Sequence, residues 1–230
     1  NDPVLGDAAW HEIDETQIAP AVRRELLSNG IRAGVISASV PAAIDHVLHQ
    51  KESRTGEKHS DLAQKNAELM SDPIVHGRVM SVRRGQRTEI QASEEYASLP
   101  LLVSGGSELG GHTYEKAKAV YSLRVDPQPD RSTIIELTPE IQFGEPRLRF
   151  TTGEDGILKQ ASLNERKVFE KLNLSVKLAP GEMLVLMSTP DAGSRLGHYF
   201  HTTNSSDGPQ QKLILIRLAQ VPESGTFANH

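Results

Sequence analysis

Residues 166–187 read RKVFEKLNLSVKLAPGEMLVLM, and in this stretch Leu172, Leu174, Val176 and Leu178 alternate with Lys171, Asn173, Ser175 and Lys177. A period of two places the apolar side chains on one face of an extended strand. The segment Ala179-Pro180-Gly181-Glu182 then reads as a turn. Proline presets φ at its second position, and glycine accepts the positive φ that a type II turn needs at its third. Met183 to Met187 follow without a polar residue, as expected of a strand covered on both faces. The stretch predicts a β-hairpin bent at Pro180, Gly181 and Glu182, and so a chain dominated by sheet.

The same rhythm recurs after Pro73. Ile74 to Val82 reads as a strand, with a turn at Arg84-Gly85, and Thr88, Ile90 and Ala92 alternate on the return. Residues 98–112, with four glycines, read as a long flexible loop. Tyr121, Leu123 and Val125 alternate, residues 127–130 turn, and Ile134 to Ile141 come back. Leu148 and Phe150 mark a further short strand before a turn at 153–156, and Lys212 to Leu218 form the last strand.

The N-terminal part has a different grain. His11-Glu12-Ile13 reads as a short strand, and Pro20 opens a helix with Val22 and Leu26 on one face and Asn29-Gly30 as its stop. Ile31 to Ser37 reads as a buried strand, and a second helix near Pro41 carries Ile44, Val47 and Leu48 as its stripe. The reading is therefore α+β. It divides into a small α/β module over 1–50, a linker and helix over 51–73, a larger, mainly antiparallel β domain over 74–221, and a disordered tail over 222–230.

Bulk composition narrows function by exclusion. Net charge is −5 over 230 residues, the opposite of the basic stripe that neutralises phosphates, so no nucleic-acid partner is expected. The chain has no cysteine, which removes disulfides, thiolate metal sites and thiol nucleophiles. No apolar run approaches the roughly 20 residues of a membrane helix, although a β-barrel span would escape that test. The chain starts at Asn1, and a leader peptide is expected to have been removed.

Few patterns carry chemistry. His198 and His201 stand three apart and would form a metal pair on a helix, with Asp191 and Asp207 near enough in sequence to add carboxylates. The pair lacks the glutamate that makes HExxH informative, and surface or packed histidines are the alternative. Ser104 to Gly111 is glycine-rich without a following Lys-Ser or Lys-Thr, so it reads as a loop rather than a phosphate cradle. Glu136, Glu140, Glu145, Glu154 and Asp155 read as solvated edges and turns, which also hinder sheet-to-sheet aggregation. No catalytic or cofactor-binding residue is expected, and no cofactor.

Four pieces in order give residues 74–221 a family likeness. They are Gly85 to Ile90 (GQRTEI), Tyr121 to Pro127 with Ile135 to Glu140 (YSLRVDP and IELTPE), Val176 to Leu186 around Pro180-Gly181-Glu182, and Leu196 to Phe200 with Lys212 to Ile216 (LGHYF and KLILI). Together they resemble the membrane-embedding domain of bacterial secretins, ring-forming outer-membrane channels of secretion systems. Met187-Ser188 stand where that family usually carries a Gly-Gly pair. The resemblance implies a non-enzymatic subunit of a homo-oligomeric ring or channel assembled by β-strand pairing. It would work in the bacterial envelope, in the periplasm or outer membrane, beside other envelope or secretion-system proteins. The alternatives are a soluble periplasmic β-domain adaptor and a metal-dependent hydrolase using His198 and His201.

Overall fold

The computed structural model describes residues 10–37, 40–42, 44–45, 77–105, 108–152, 158–205 and 208–220, with 148–152, 158–163 and 204–205 described by backbone alone. The fold is α+β with antiparallel sheet predominant. Helix α1 (Pro20–Ser28) precedes strands β1 (Ile31–Ile36), β2 (Thr88–Gln91), β3 (Tyr96–Gly105), β4 (Glu108–Pro127), β5 (Thr133–Thr152) and β6 (Leu158–Val168). A 3-10 turn (Glu170–Leu172) leads to β7 (Leu174–Leu178), β8 (Met183–Ser188), α2 (Leu196–His201), β9 (Thr202–Ser205), β10 (Gly208–Gln211) and β11 (Ile214–Arg217).

Two sheets enclose the main core. The larger is built on the β4–β5 hairpin, with β2 and β3 along the far side of β4, and β6 and β7 along the far side of β5. The smaller has the order β1-β8-β11. Between them pack Tyr121, Leu123, Ile135, Leu137, Ile141, Leu174, Val176 and Leu178 from one sheet, and Ile31, Ala33, Val35, Leu184 and Leu186 from the other. Fully burying one such aliphatic side chain contributes about 1.5–3 kcal/mol. The smaller sheet is covered on its back as well, where Met183, Val185 and Met187 meet Trp10, Ile13, Ile36 and Ile44. Arg32 lies over the Trp10 ring at 4.4 Å and pairs with Glu15.

The bend at Pro180, Gly181 and Glu182 forms, but the hairpin does not. The Glu182 amide donates to the Ala179 carbonyl at 3.0 Å, and Gly181 holds φ +93°. Yet β7 pairs with β5 while β8 lies between β1 and β11, so the turn carries the chain from one sheet to the other. The burial patterns fit this arrangement. β7 alternates buried and exposed residues, whereas every residue of β8 is buried. The wet positions of β7 lie on the outer face of the large sheet, whereas β8 is central in a sheet covered on both faces.

Other expectations need correction. Within the described part of 10–37, β1 hydrogen-bonds β8 across its whole length, and Ile18 and Leu26 join the main core. Residues 11–13 form a turn, followed by an isolated bridge between Asp14 and Val35. Of the second helix, Ala42, Ile44 and Asp45 are helical and the rest lies outside the described residues, as do the linker, the helix over 60–70 and the tail over 222–230. Of the strand expected over 74–82, residues 77–82 have no regular secondary structure, although Met80 and Val82 pack on the core, and 74–76 lie outside the described residues.

The largest revision is at 98–112, where the supposed loop is the β3–β4 hairpin. Leu99 and Leu101 alternate with exposed neighbours on β3, and the four glycines masked that period. Leu148 and Phe150 belong to β5 rather than a separate strand, and β5 returns as β6, which the sequence reading did not separate.

Candidate functional site

An assembly reading turns on strand edges, because an edge is a row of backbone donors and acceptors awaiting a partner. Two edges are met in part from within the chain. On β1, the Asp14 and Val35 backbones exchange hydrogen bonds of 2.9 Å each. On β3, alternation sends the backbone groups of Pro100, Leu102 and Ser104 away from β4. The Tyr199 hydroxyl donates to the Pro100 carbonyl at 2.5 Å, and the Leu102 amide donates to the Ser194 carbonyl at 2.9 Å. The Ser104 amide donates to Asn29 Oδ1 at 2.9 Å, while Asn29 Nδ2 donates to the Ser104 carbonyl at 3.0 Å. Proline has no amide to satisfy, so every outward N–H between 100 and 104 is used.

Other edges are open. β4 pairs with β5 from Lys118 to Pro127, and its distal part over 108–116 has only β3 beside it among the described residues. The two long strands part at Lys116, with φ +49°, and Gly144, with φ +75°. The β5–β6 register shifts between Phe143 and Arg147, and Asn164 Nδ2 donates to the Gly144 carbonyl at 2.9 Å. A bulge of this kind bends its strand and raises the local twist. Beyond it runs a two-stranded ribbon, Arg147 to Thr152 against Leu158 to Leu163. At its base, Glu145, Pro146, Arg147, Arg166 and Lys167 are all exposed.

His198 and His201 both fall on α2, but they do not converge. His201 is fully buried: Nε2 lies 2.8 Å from the Tyr121 hydroxyl and Nδ1 lies 3.3 Å from the Lys212 carbonyl. Burial, then the nearby Lys212 charge, pushes its pKa down to about 3, so the ring is neutral. A neutral ring that accepts from Tyr121 must donate through Nδ1 to Lys212, which leaves no lone pair for a metal. His198 is half-exposed and stands edge-on to the Tyr199 ring. Among the described residues no group of three or more His, Asp or Glu side chains is placed to hold a metal ion. Asp207 lies outside the described residues.

The outer face of the large sheet carries a groove of about 390 Å³ lined by Arg87, Arg124, Arg166, Glu136, Glu140 and Glu170. Its charges balance, which favours neither an anion nor a cation. At its floor the almost fully buried Glu140 carboxylate accepts from Arg87 Nη2 at 2.6 Å.

The sequence reading uses Asn29 as a helix stop, Tyr121 as a strand residue and Tyr199 as part of LGHYF, and gives none of them, nor Ser194, a hydrogen-bonding role. A buried asparagine at a helix end carries a donor and an acceptor with the geometry of a peptide group, and that was the available signal. No protein-family model, curated protein or solved structure matches the chain.

Proposed function

We propose that the protein is a non-enzymatic subunit of the bacterial envelope that assembles with copies of itself by β-strand pairing, as a ring or channel component. The observation that carries this reading is the β5–β6 ribbon, which leaves the sandwich at Gly144 with both long edges unpaired among the described residues. Two strands alone are marginally stable in water, so a ribbon of this length draws its stability from a further strand. A third strand supplied by another copy satisfies backbone groups that the single chain leaves open. The likeness of residues 85–90, 121–127 with 135–140, and 196–200 with 212–216 to secretin domains supports the same reading and adds the envelope location. The piece over 176–186 lends no support, because its two arms lie in different sheets. Light scattering on the purified chain, with and without detergent, tests it: a high-order oligomer is expected, and a monomer at every concentration in both conditions overturns it.

A second reading has its own support. The backbone groups of Val35 on β1 and of Pro100, Leu102 and Ser104 on β3, already bonded within the chain, are what a soluble adaptor needs to discourage pairing with its neighbours. On that reading the same experiment returns a monomer or small oligomer without detergent.

A further inference from the structure

Resting on the assembly reading above, we propose that the outer edge of β3 is an assembly edge held shut within the single chain, and that its partner is the distal half of β4 of a second copy. The bonds that close this edge come from three separate places: Asn29 after α1, Ser194 in the loop before α2, and Tyr199 on α2. Two of them, Asn29 and Tyr199, act through side chains, so strand-like backbone bonding is imitated rather than supplied by a strand. An incoming strand would replace these bonds group for group, and Pro100 has no amide to leave unmet.

The partner follows from direction and surface. β3 and β4 run antiparallel. A neighbour in the same orientation therefore presents its β4 antiparallel to β3. A contact between two different edges repeats around a cyclic assembly, whereas a strand paired with its own counterpart stops at a dimer. Among the described residues the β4 edge over 108–113 has no strand beside it on the side away from β3, because pairing with β5 ends at Lys118. Nearer the bend, Tyr114 meets the Phe143 ring and Lys116 pairs with Glu145. Gly110 and Gly111 carry no side chain to obstruct an approach. Between Ser98 and Thr113 the chain holds a single charged residue, Glu108, so like charges do not oppose contact. On the outer face of this hairpin Leu102 is 39% exposed and Leu109 61% exposed, apolar area that a second copy would cover.

The closing segment is built to withdraw. Pro190, Asp191, Gly193 and Ser194 are exposed, and of residues 190–194 only Ala192 is buried. Lifting this loop frees the Leu102 amide while the main core stays covered.

The absence of cysteine allows a reversible lock. Leu102 and Arg195 are direct partners in an isolated parallel bridge, so an oxidised Leu102→Cys, Arg195→Cys pair in the full chain would pin the loop to β3, its formation checked by the loss of free thiols. Light scattering in detergent is expected to show assembly when the pair is reduced and a monomer when it is oxidised. Tyr199→Phe, which keeps the ring and removes one closing bond, is expected to raise the association constant about two- to tenfold. Equal assembly by the oxidised and reduced forms, or an unchanged constant for Tyr199→Phe, overturns the β3 proposal and leaves the assembly reading standing. Wild type and both states of the lock remaining monomeric would overturn both.

Discussion

The hydroxyl of Tyr121 lies 2.8 Å from Nε2 of His201, and both side chains are fully buried. The pair joins β4 to the end of α2, and His201 Nδ1 extends the link to the Lys212 carbonyl ahead of β11. Lys212 itself donates from Nζ to the Ala92 carbonyl beyond β2. These bonds tie the two sheets together beside the apolar cluster that Tyr121 and Phe200 join. Low dielectric makes such a network strong when complete and expensive when broken.

Stability is expected to fall with acidification because of His201. Its folded pKa is near 3, below the ordinary 6.5, so between those values the unfolded chain binds a proton that the native chain does not. The contribution is complete above about pH 6.5 and is lost progressively toward pH 3, with a ceiling of about 1.4 kcal/mol per pH unit. Urea midpoints measured from about pH 7.5 down to about pH 4.5 check this, against His201→Gln, whose profile should be flatter.

Tyr121→Phe removes the donor and leaves Nε2 of a buried imidazole unmet. The expected loss is about 1–3 kcal/mol, read as a lower urea midpoint with an unchanged slope. A loss below about 0.5 kcal/mol would show that the hydroxyl is dispensable.

Gly197→Ala is expected to abolish cooperative folding. A Cβ there would run into the Gly30 carbonyl, and Gly197 already donates its amide to the Asn29 carbonyl at 2.9 Å. Neither neighbour is a side chain able to turn aside. Gly193→Ala meets open space and has only its φ of +53° against it, so it should lower stability by about 1 kcal/mol. Thermal melts of the two variants separate steric overlap from backbone strain.

Arg87→Ala strands Glu140, whose carboxylate is almost wholly removed from water. The expected loss is about 3 kcal/mol, the low end for a broken buried pair because Arg87 is partly exposed. Adding Glu140→Gln to that variant should restore part of the loss, since it removes the unpaired charge. A double variant no more stable than Arg87→Ala would argue against a charge effect.

Parts of the fold were legible residue by residue. Pro20, Asn29 and Gly30 bracketed α1 because capping chemistry is local. The alternation through Leu174, Val176 and Leu178, and the continuous run from Met183 to Met187, marked β7 and β8 with their correct burial. The two patterns differ, one face wet in β7 and none in β8, but local pattern does not say which sheet a strand joins, and the intervening Pro-Gly turn reads as a hairpin. The β3–β4 hairpin escaped because glycine contributes nothing to hydrophobic periodicity. His198 and His201 were grouped by spacing, but spacing does not report that Tyr121 and Lys212 occupy both nitrogens of one ring.

Period, turn chemistry and charge balance depend on neighbours in the chain, and from them alone follow an antiparallel β-rich α+β protein and the placing of most of its strands. Which strands share a sheet depends on contacts between distant residues, such as β1 against β8. The closing of β3 by Asn29, Ser194 and Tyr199 is decided the same way, because a backbone group is satisfied by whatever the folded chain brings within about 3 Å of it.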